Sequence, residues 1–337
     1  MPSMKTYLFL LVSLCTLQAI GQQKTAADYG FRHLQFLYQG DTVHLLIKSK
    51  KGEELKPKPL FFFCQGSQPV PLIIDSKEGV YGTFPFKPDS LAAYFHLVII
   101  SKPAVPLIKD VTELSPDFTY KDSTGSYPKA YSDRNYLDYY VNRNIEVIKY
   151  LHRQPWVLRS PLVAAGHSEG ATIVAKLAST FSRITHLIYS GGNPMGRIVS
   201  IVANSRRYEN DSTRMAEQDI ENWKAVVNNP SASDATKGDP YKTTYGFSFP
   251  PINYLQKLTI PVFVSFGTKD VGAPFNDYLQ LDMIRQHKNN FTFKGYIGTE
   301  HNFFGLNADG TTNYNAFNWD KVAMDWLHWL LRTNGAR

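Results

Sequence analysis

The stretch Pro161-Leu162-Val163-Ala164-Ala165-Gly166-His167-Ser168-Glu169-Gly170-Ala171-Thr172-Ile173-Val174-Ala175-Lys176-Leu177-Ala178 decides the fold. Its first five residues form a short apolar run of strand type. Its last eight are small and apolar, suited to a helix packed on a sheet. Between them Gly166-His167-Ser168-Glu169-Gly170 fits G-x-S-x-G, in the strand–turn–helix setting where that pentapeptide makes a nucleophile elbow. Such a turn strains the serine backbone, and the flanking glycines remove Cβ atoms that would strike the adjoining strand and helix. Ser168 Oγ is therefore expected above the sheet, at the positive end of the following helix.

A serine hydroxyl needs a base to take its proton, and a histidine base needs a carboxylate to fix its tautomer and stabilise its cation. In this setting the acid and then the histidine follow the serine along the chain. Ile260-Pro261-Val262-Phe263-Val264-Ser265-Phe266 reads as a buried parallel strand, and Gly267-Thr268-Lys269-Asp270 follows at its C-terminal end. Open α/β sheets place their ligands there, so Asp270 is the candidate acid. Three histidines come later. His328 falls in an amphipathic helical pattern, and His287 among polar residues at a helix end. His301 follows the strand-like 291–298, in a loop at a strand's C-terminal edge, and is the candidate base.

Ser168 in GHSEG, Asp270 in GTKD and His301 in GTEHNF together resemble the α/β-hydrolase superfamily, from near residue 30 to the last residue given. Within it the chain is similar to bacterial hydrolases grouped near prolyl-oligopeptidase-type peptidases and dienelactone hydrolases. The resemblance implies an α/β fold: an eight-stranded, mostly parallel sheet flanked by helices, with a lid insertion between strands six and seven. It also implies acyl transfer through a serine ester, without metal or cofactor. The Glu169 N–H is then one oxyanion donor. The second comes from the loop after the third strand, Gln65-Gly66-Ser67, from the Ser67 N–H or that of Gly66. Relatives often carry His-Gly in this loop. Gln65-Gly66 keeps the backbone donor but removes any role for a histidine side chain.

Apolar runs place eight strands, at 33–38, 42–48, 60–64, 94–101, 162–165, 186–190, 261–266 and 291–297, the first two an antiparallel hairpin. Leu137, Val141, Ile145, Ile148 and Leu151 predict a helix over 133–152, and the polar 109–131 predicts a long loop over the site. A single domain, 22–337, is expected, with its insertion at 191–259. One or two helices are expected over 207–227, and a loop over 228–234. The aromatic residues Tyr241, Tyr245, Phe247, Phe249 and Tyr254 are expected mainly to pack the insertion on the domain. The insertion and the 109–131 loop together should form the pocket mouth. Residues 206–221 carry many charges and no strong apolar face, which points to a soluble, partly polar ester rather than a lipid droplet.

Three activities from different classes fit these residues. An esterase on a small-molecule ester comes first, and a peptidase on short peptides second. The interval 22–59 is too short for the propeller domain such peptidases carry. A catalytically inactive binding module comes third, and the complete Ser, Asp and His set argues against it.

Residues 1–21 have a signal-peptide layout: Lys5, an apolar stretch from Tyr7 to Leu17, then Ala19-Ile20-Gly21. Cleavage after Gly21 and a secreted or periplasmic location are expected. Leu14 before Cys15 is too large for a lipidation site, and the apolar stretch is too short to span a bilayer. Removing this segment lowers the formal charge from +7 by the one charge of Lys5. No dense Lys/Arg run is interleaved with aromatics, so no nucleic-acid partner is indicated. Cys64 then has no cysteine to pair with and reads as a buried thiol. No Cys/His/carboxylate cluster has metal-ligand spacing, and no glycine-rich phosphate loop follows a strand.

Overall fold

The computed structural model describes residues 24–233 and 238–334. The expected signal peptide, 1–21, and Asp234 of the expected loop lie outside them. Eight strands form the main sheet: β1 (Arg32–Tyr38), β2 (Asp41–Lys48), β3 (Lys58–Cys64), β4 (His96–Ile100), β5 (Val157–His167), β6 (His186–Ser190), β7 (Val262–Gly267) and β8 (Phe291–Tyr296). Their order across the sheet is β1-β2-β4-β3-β5-β6-β7-β8. β1 pairs antiparallel with β2, and β2 with β4; β3 to β8 are parallel. All eight strands read from the sequence are present.

β3 shows why apolar runs were legible. Leu60, Phe62 and Cys64 join one core layer while Phe61 and Phe63 join the other, so neither face alternates with polar residues. Helix α1 (Leu137–Leu151) and helix α2 (Glu169–Thr180) cover the first layer. Helices α3 (Arg197–Tyr208), α4 (Met215–Asn228) and α5 (Tyr241–Ser248) follow, then α6 (Ala273–Arg285) and α7 (Trp319–Asn334). On α7, Trp319, Val322, Trp326 and Leu330 recur at helical spacing and are buried in the second layer. Trp326 stacks on Phe61 with ring centroids 6.5 Å apart. Burying one such side chain is worth about 2–3 kcal/mol.

The chain reverses its course across the sheet between β3 and β5, which are neighbours. Cys64 at the end of β3 is in register with Gly166 of β5. The loop after β3 and the turn after β5 therefore open side by side, at the position where sheets of this kind bind ligands.

Three expectations need correction. The predicted helix over 133–152 is broken. A short helix, Lys129–Arg134, ends at Asn135, and Tyr136 is extended (φ −145, ψ 153) before α1 begins. Tertiary bonds hold the break: Tyr140 Oη donates to Asn135 Oδ1 at 2.9 Å, and Thr243 Oγ1 to the Asn135 carbonyl. The 109–131 segment is largely the expected loop, but it is not irregular throughout and it does not line the cavity. It begins in a small sheet of Ile73–Ser76, Gly79–Tyr81 and Ile108–Asp110. It then runs through turns in which Asp110, Asp117 and Asp122 accept from the N–H groups two residues on. Finally, a hairpin of Phe304–Leu306 and Thr312–Phe317 follows His301, where no such element was read.

Among the described residues, the regular structure of the insertion at 191–259 is helical. α3 starts ten residues before the expected 207, because Ile198, Ile201 and Val202 continue its pattern upstream. Of the aromatic residues, Phe247 is buried near the Tyr140 ring, Tyr245 stacks on Trp223, and Phe249 packs with Tyr254.

Candidate active site

Ser168 leaves β5 with φ 58 and ψ −122, then caps α2. The neighbouring glycines allow this turn. A Cβ on Gly166 would sit 2.1 Å from the Gly170 carbonyl oxygen, and one on Gly170 2.0 Å from the Cys64 carbonyl oxygen. The first oxygen belongs to the first turn of α2 and the second to the end of β3, which pairs with β5, so neither is free to move.

Asp270 and His301 come from the ends of the next parallel strands. Asp270 lies in the turn after β7, where its Oδ1 accepts from the Gly272 N–H at 3.0 Å. The His301 loop follows β8. His301 Nδ1 is 2.8 Å from Asp270 Oδ2, and His301 Nε2 is 3.0 Å from Ser168 Oγ. The three candidate residues, spread over 133 positions, are thus joined in one hydrogen-bonded line. Burial disfavours a charged His301, but the hydrogen bond and charge of Asp270, with Glu300, outweigh it and raise its pKa above the usual 6.5. Burial likewise opposes the Asp270 charge, yet His301 and the Gly272 N–H hold its pKa below the ordinary value. His287 and His328 are exposed and take no part.

Gly66 passes beside the serine: a Cβ placed on it would lie 3.7 Å from Ser168 Cβ. Ser67 lines the same cavity as Ser168 and Glu169. Tyr131 Oη donates to the Ser67 carbonyl at 2.7 Å and anchors that loop.

Sequence reasoning missed two supports. One is His167, inside the pentapeptide itself. Its ring is buried 5.0 Å from that of His301 and edge-on to Trp319 at 4.7 Å. Nε2 donates to Asn302 Oδ1 (3.3 Å), so Nδ1 accepts from Ser190 Oγ (3.2 Å). Burial and the neighbouring His301 push its pKa down to about 3, which keeps it neutral. The second is a buried charge chain on the far side of the serine. Lys102 Nζ meets Glu169 Oε1 at 2.8 Å, with side chains 3% and 2% exposed. Arg197, the first residue of α3, binds the other Glu169 oxygen and reaches Asp239 at 2.5 Å. Burial works against the Glu169 charge, but Lys102 and Arg197 overcome it and its pKa is lowered. No local pattern could have revealed this chain, since its members lie far apart in sequence.

A cavity of ≈ 650 Å³ opens over Ser168. The insertion lines one wall, through Asn193, Arg197, Asn204 and Phe247. The turn at 269–272 and the hairpin residues Leu306, Gly310 and Thr312 line the rest. The 109–131 segment does not line it; the hairpin takes the place expected for that segment. Among the described residues, no group of three or more His, Cys, Asp or Glu side chains could hold a metal ion, and no helix is long and apolar enough to cross a membrane.

No family model matches the sequence, and no curated protein matches it. Among solved structures, Est1E from Butyrivibrio proteoclasticus aligns with TM-score 0.52 and 12% identity, over 90% of this chain and 99% of its own. A Bacteroides ovatus chain assigned as a dipeptidyl aminopeptidase IV aligns with TM-score 0.56 and 7% identity, over 89% of this chain and 35% of its own. At such identities the likeness is one of fold. With the strand order and the strand–turn–helix elbow at Ser168, it establishes that the chain has the α/β-hydrolase fold.

Proposed function

We propose that this protein is a serine hydrolase that cleaves carboxylic esters through an acyl-enzyme. The observation that carries this reading is the line Ser168 Oγ–His301 Nε2–Asp270, at 3.0 and 2.8 Å, on the floor of an open cavity. Ser168 Oγ attacks the ester carbonyl while His301 Nε2 takes its proton. The backbone N–H groups of Glu169 and of Ser67 or Gly66 hold the oxyanion. The carbonyl–oxygen bond to the alcohol breaks, and His301 returns the proton to the leaving oxygen. Water gives a proton to His301 and attacks the acyl-serine; the acyl–Oγ bond breaks, the acid leaves and His301 returns the proton to Ser168 Oγ. Asp270 keeps the imidazole oriented and stabilises its cation. Residues 22–337 act as one domain, with 191–259 as its lid, after removal of 1–21 on export to the periplasm or medium.

A fluorophosphonate probe tests the mechanism. It should label Ser168 and no other residue; a folded protein that stays unlabelled, or labels elsewhere, would sink it. The second reading, a peptidase of prolyl-oligopeptidase type, uses the same residues on a short peptide. Parallel assays on p-nitrophenyl esters and dipeptidyl anilides separate the two, and turnover of anilides alone would reverse the order.

A further inference from the structure

Helix α3 turns one face toward the cavity. Arg197, Ser200, Ile201, Asn204, Arg207 and Tyr208 all line it, at the spacing of neighbours on a single helix face. Arg197 begins this row beside Glu169. Arg207 lies ten residues on, which is about 15 Å along a helix. A row of hydrogen-bonding groups therefore runs outward from the serine.

Two of the four carboxylates on the cavity wall are paired with permanent cations; Asp270 and Glu300 keep their charge beside His301. Glu169 is held by Lys102 and Arg197, Asp239 by Arg197, and Asp270 by His301. Glu300 Oε1 accepts from the N–H groups of Asn302 and Phe304. Of the three lining cations, only Arg197 is engaged in an ion pair. Arg207 and Lys269 have no carboxylate partner among the described residues. Arg206, next to Arg207, is bound by both Glu209 and Glu217, but it does not line the cavity. Ser200 and Asn204 lie between Arg197 and Arg207 on this face, where an extended substrate would lie, and Lys269 adjoins Asp270.

Resting on the serine-hydrolase reading, we propose that the substrate carries a second group, anionic at neutral pH and separate from the scissile ester, that Arg207 or Lys269 receives. A guanidinium and an ammonium offer charge-assisted hydrogen bonds that a neutral chain end cannot use.

The test compares kcat/KM for length-matched p-nitrophenyl esters whose acyl chains end in methyl or in carboxylate. A second set carries the carboxylate on the alcohol. The carboxylate esters should be favoured about tenfold in one set, more so with longer chains, and less so at high salt. Arg207→Gln with Lys269→Gln should collapse that ratio. Lys224→Gln, an exposed charge of α4 away from the cavity, should leave it in place. Equal or better cleavage of neutral esters in both sets, or a ratio untouched by the double variant, overturns the proposal while leaving the hydrolase reading intact. Failure of Ser168 to label removes both. If Ser168 labels but no ester turns over, protection decides: a long dicarboxylate should slow labelling more than the diol of equal length, and equal protection overturns the proposal.

Discussion

Arg197 and Glu169 join the start of the insertion to the residue that follows the nucleophile. Their contact is buried, and the same guanidinium continues to Asp239 just before α5. Buried ion pairs of this kind add little net stability compared with apolar packing, but breaking one by removing a partner is costly. The position matters more than the energy. The Glu169 backbone is the proposed oxyanion donor, and its side chain is clamped between the domain, through Lys102, and the insertion, through Arg197.

Lys102→Met should therefore cost about 3 kcal/mol or more in denaturant unfolding, because it strands part of a buried carboxylate charge. Arg197→Met should lower kcat about tenfold or more while the fold is kept, since small misplacements at a reacting centre are expensive. Arg197→Lys should recover little: a lysine lacks the planar fork that reaches two carboxylates. Unchanged kcat in Arg197→Met would show the clamp to be only structural.

Ser168→Ala and His301→Ala should each lose at least about a thousandfold in esterase activity with unchanged circular dichroism. His287→Ala should behave as wild type, because His287 is exposed beyond α6. An essential His287 would remove the assignment of the base.

The pH profile follows from the His301 environment. His301 must be neutral to accept the serine proton, so kcat/KM should fall as pH drops through its pKa. Asp270 and Glu300 raise that pKa, so the acid limb should lie above the ordinary 6.5. Asp270→Asn removes the main raising influence. Its acid limb should move to lower pH, while the plateau falls about a thousandfold or more. A limb that stays in place would mean another group governs the titration.

The cavity face of α3 is polar apart from Ile201, and its insertion is tied down at Arg197. Rates on esters of rising chain length should pass smoothly through the critical micelle concentration. A jump on crossing it would indicate a lid that opens at an interface.

Much of this was legible in the sequence. Strands buried on both faces announce themselves as uninterrupted apolar runs, as in Leu60-Phe61-Phe62-Phe63-Cys64. Residues at strand C-terminal ends could then be placed, and Ser168, Asp270 and His301 do meet. What stayed hidden depends on distant partners. Lys102 and Glu169 are 67 positions apart, and Arg197 and Glu169 are 28 apart, so neither contact leaves a local pattern. The break at Asn135 was invisible for the same reason, since the bond from Thr243 spans 108 positions. Helical periodicity simply runs through it.

The turn at Ser168 carries one more consequence. An L-residue at φ 58 and ψ −122 sits where only glycine rests comfortably, at a cost on the order of 1–3 kcal/mol. The hydroxyl is thus displayed at the expense of thermal robustness. Ser168→Gly should melt at a higher temperature than either the wild type or Ser168→Ala, which keeps the Cβ and the strain. The stability given up at Ser168 is thus the measurable counterpart of holding its hydroxyl above the sheet.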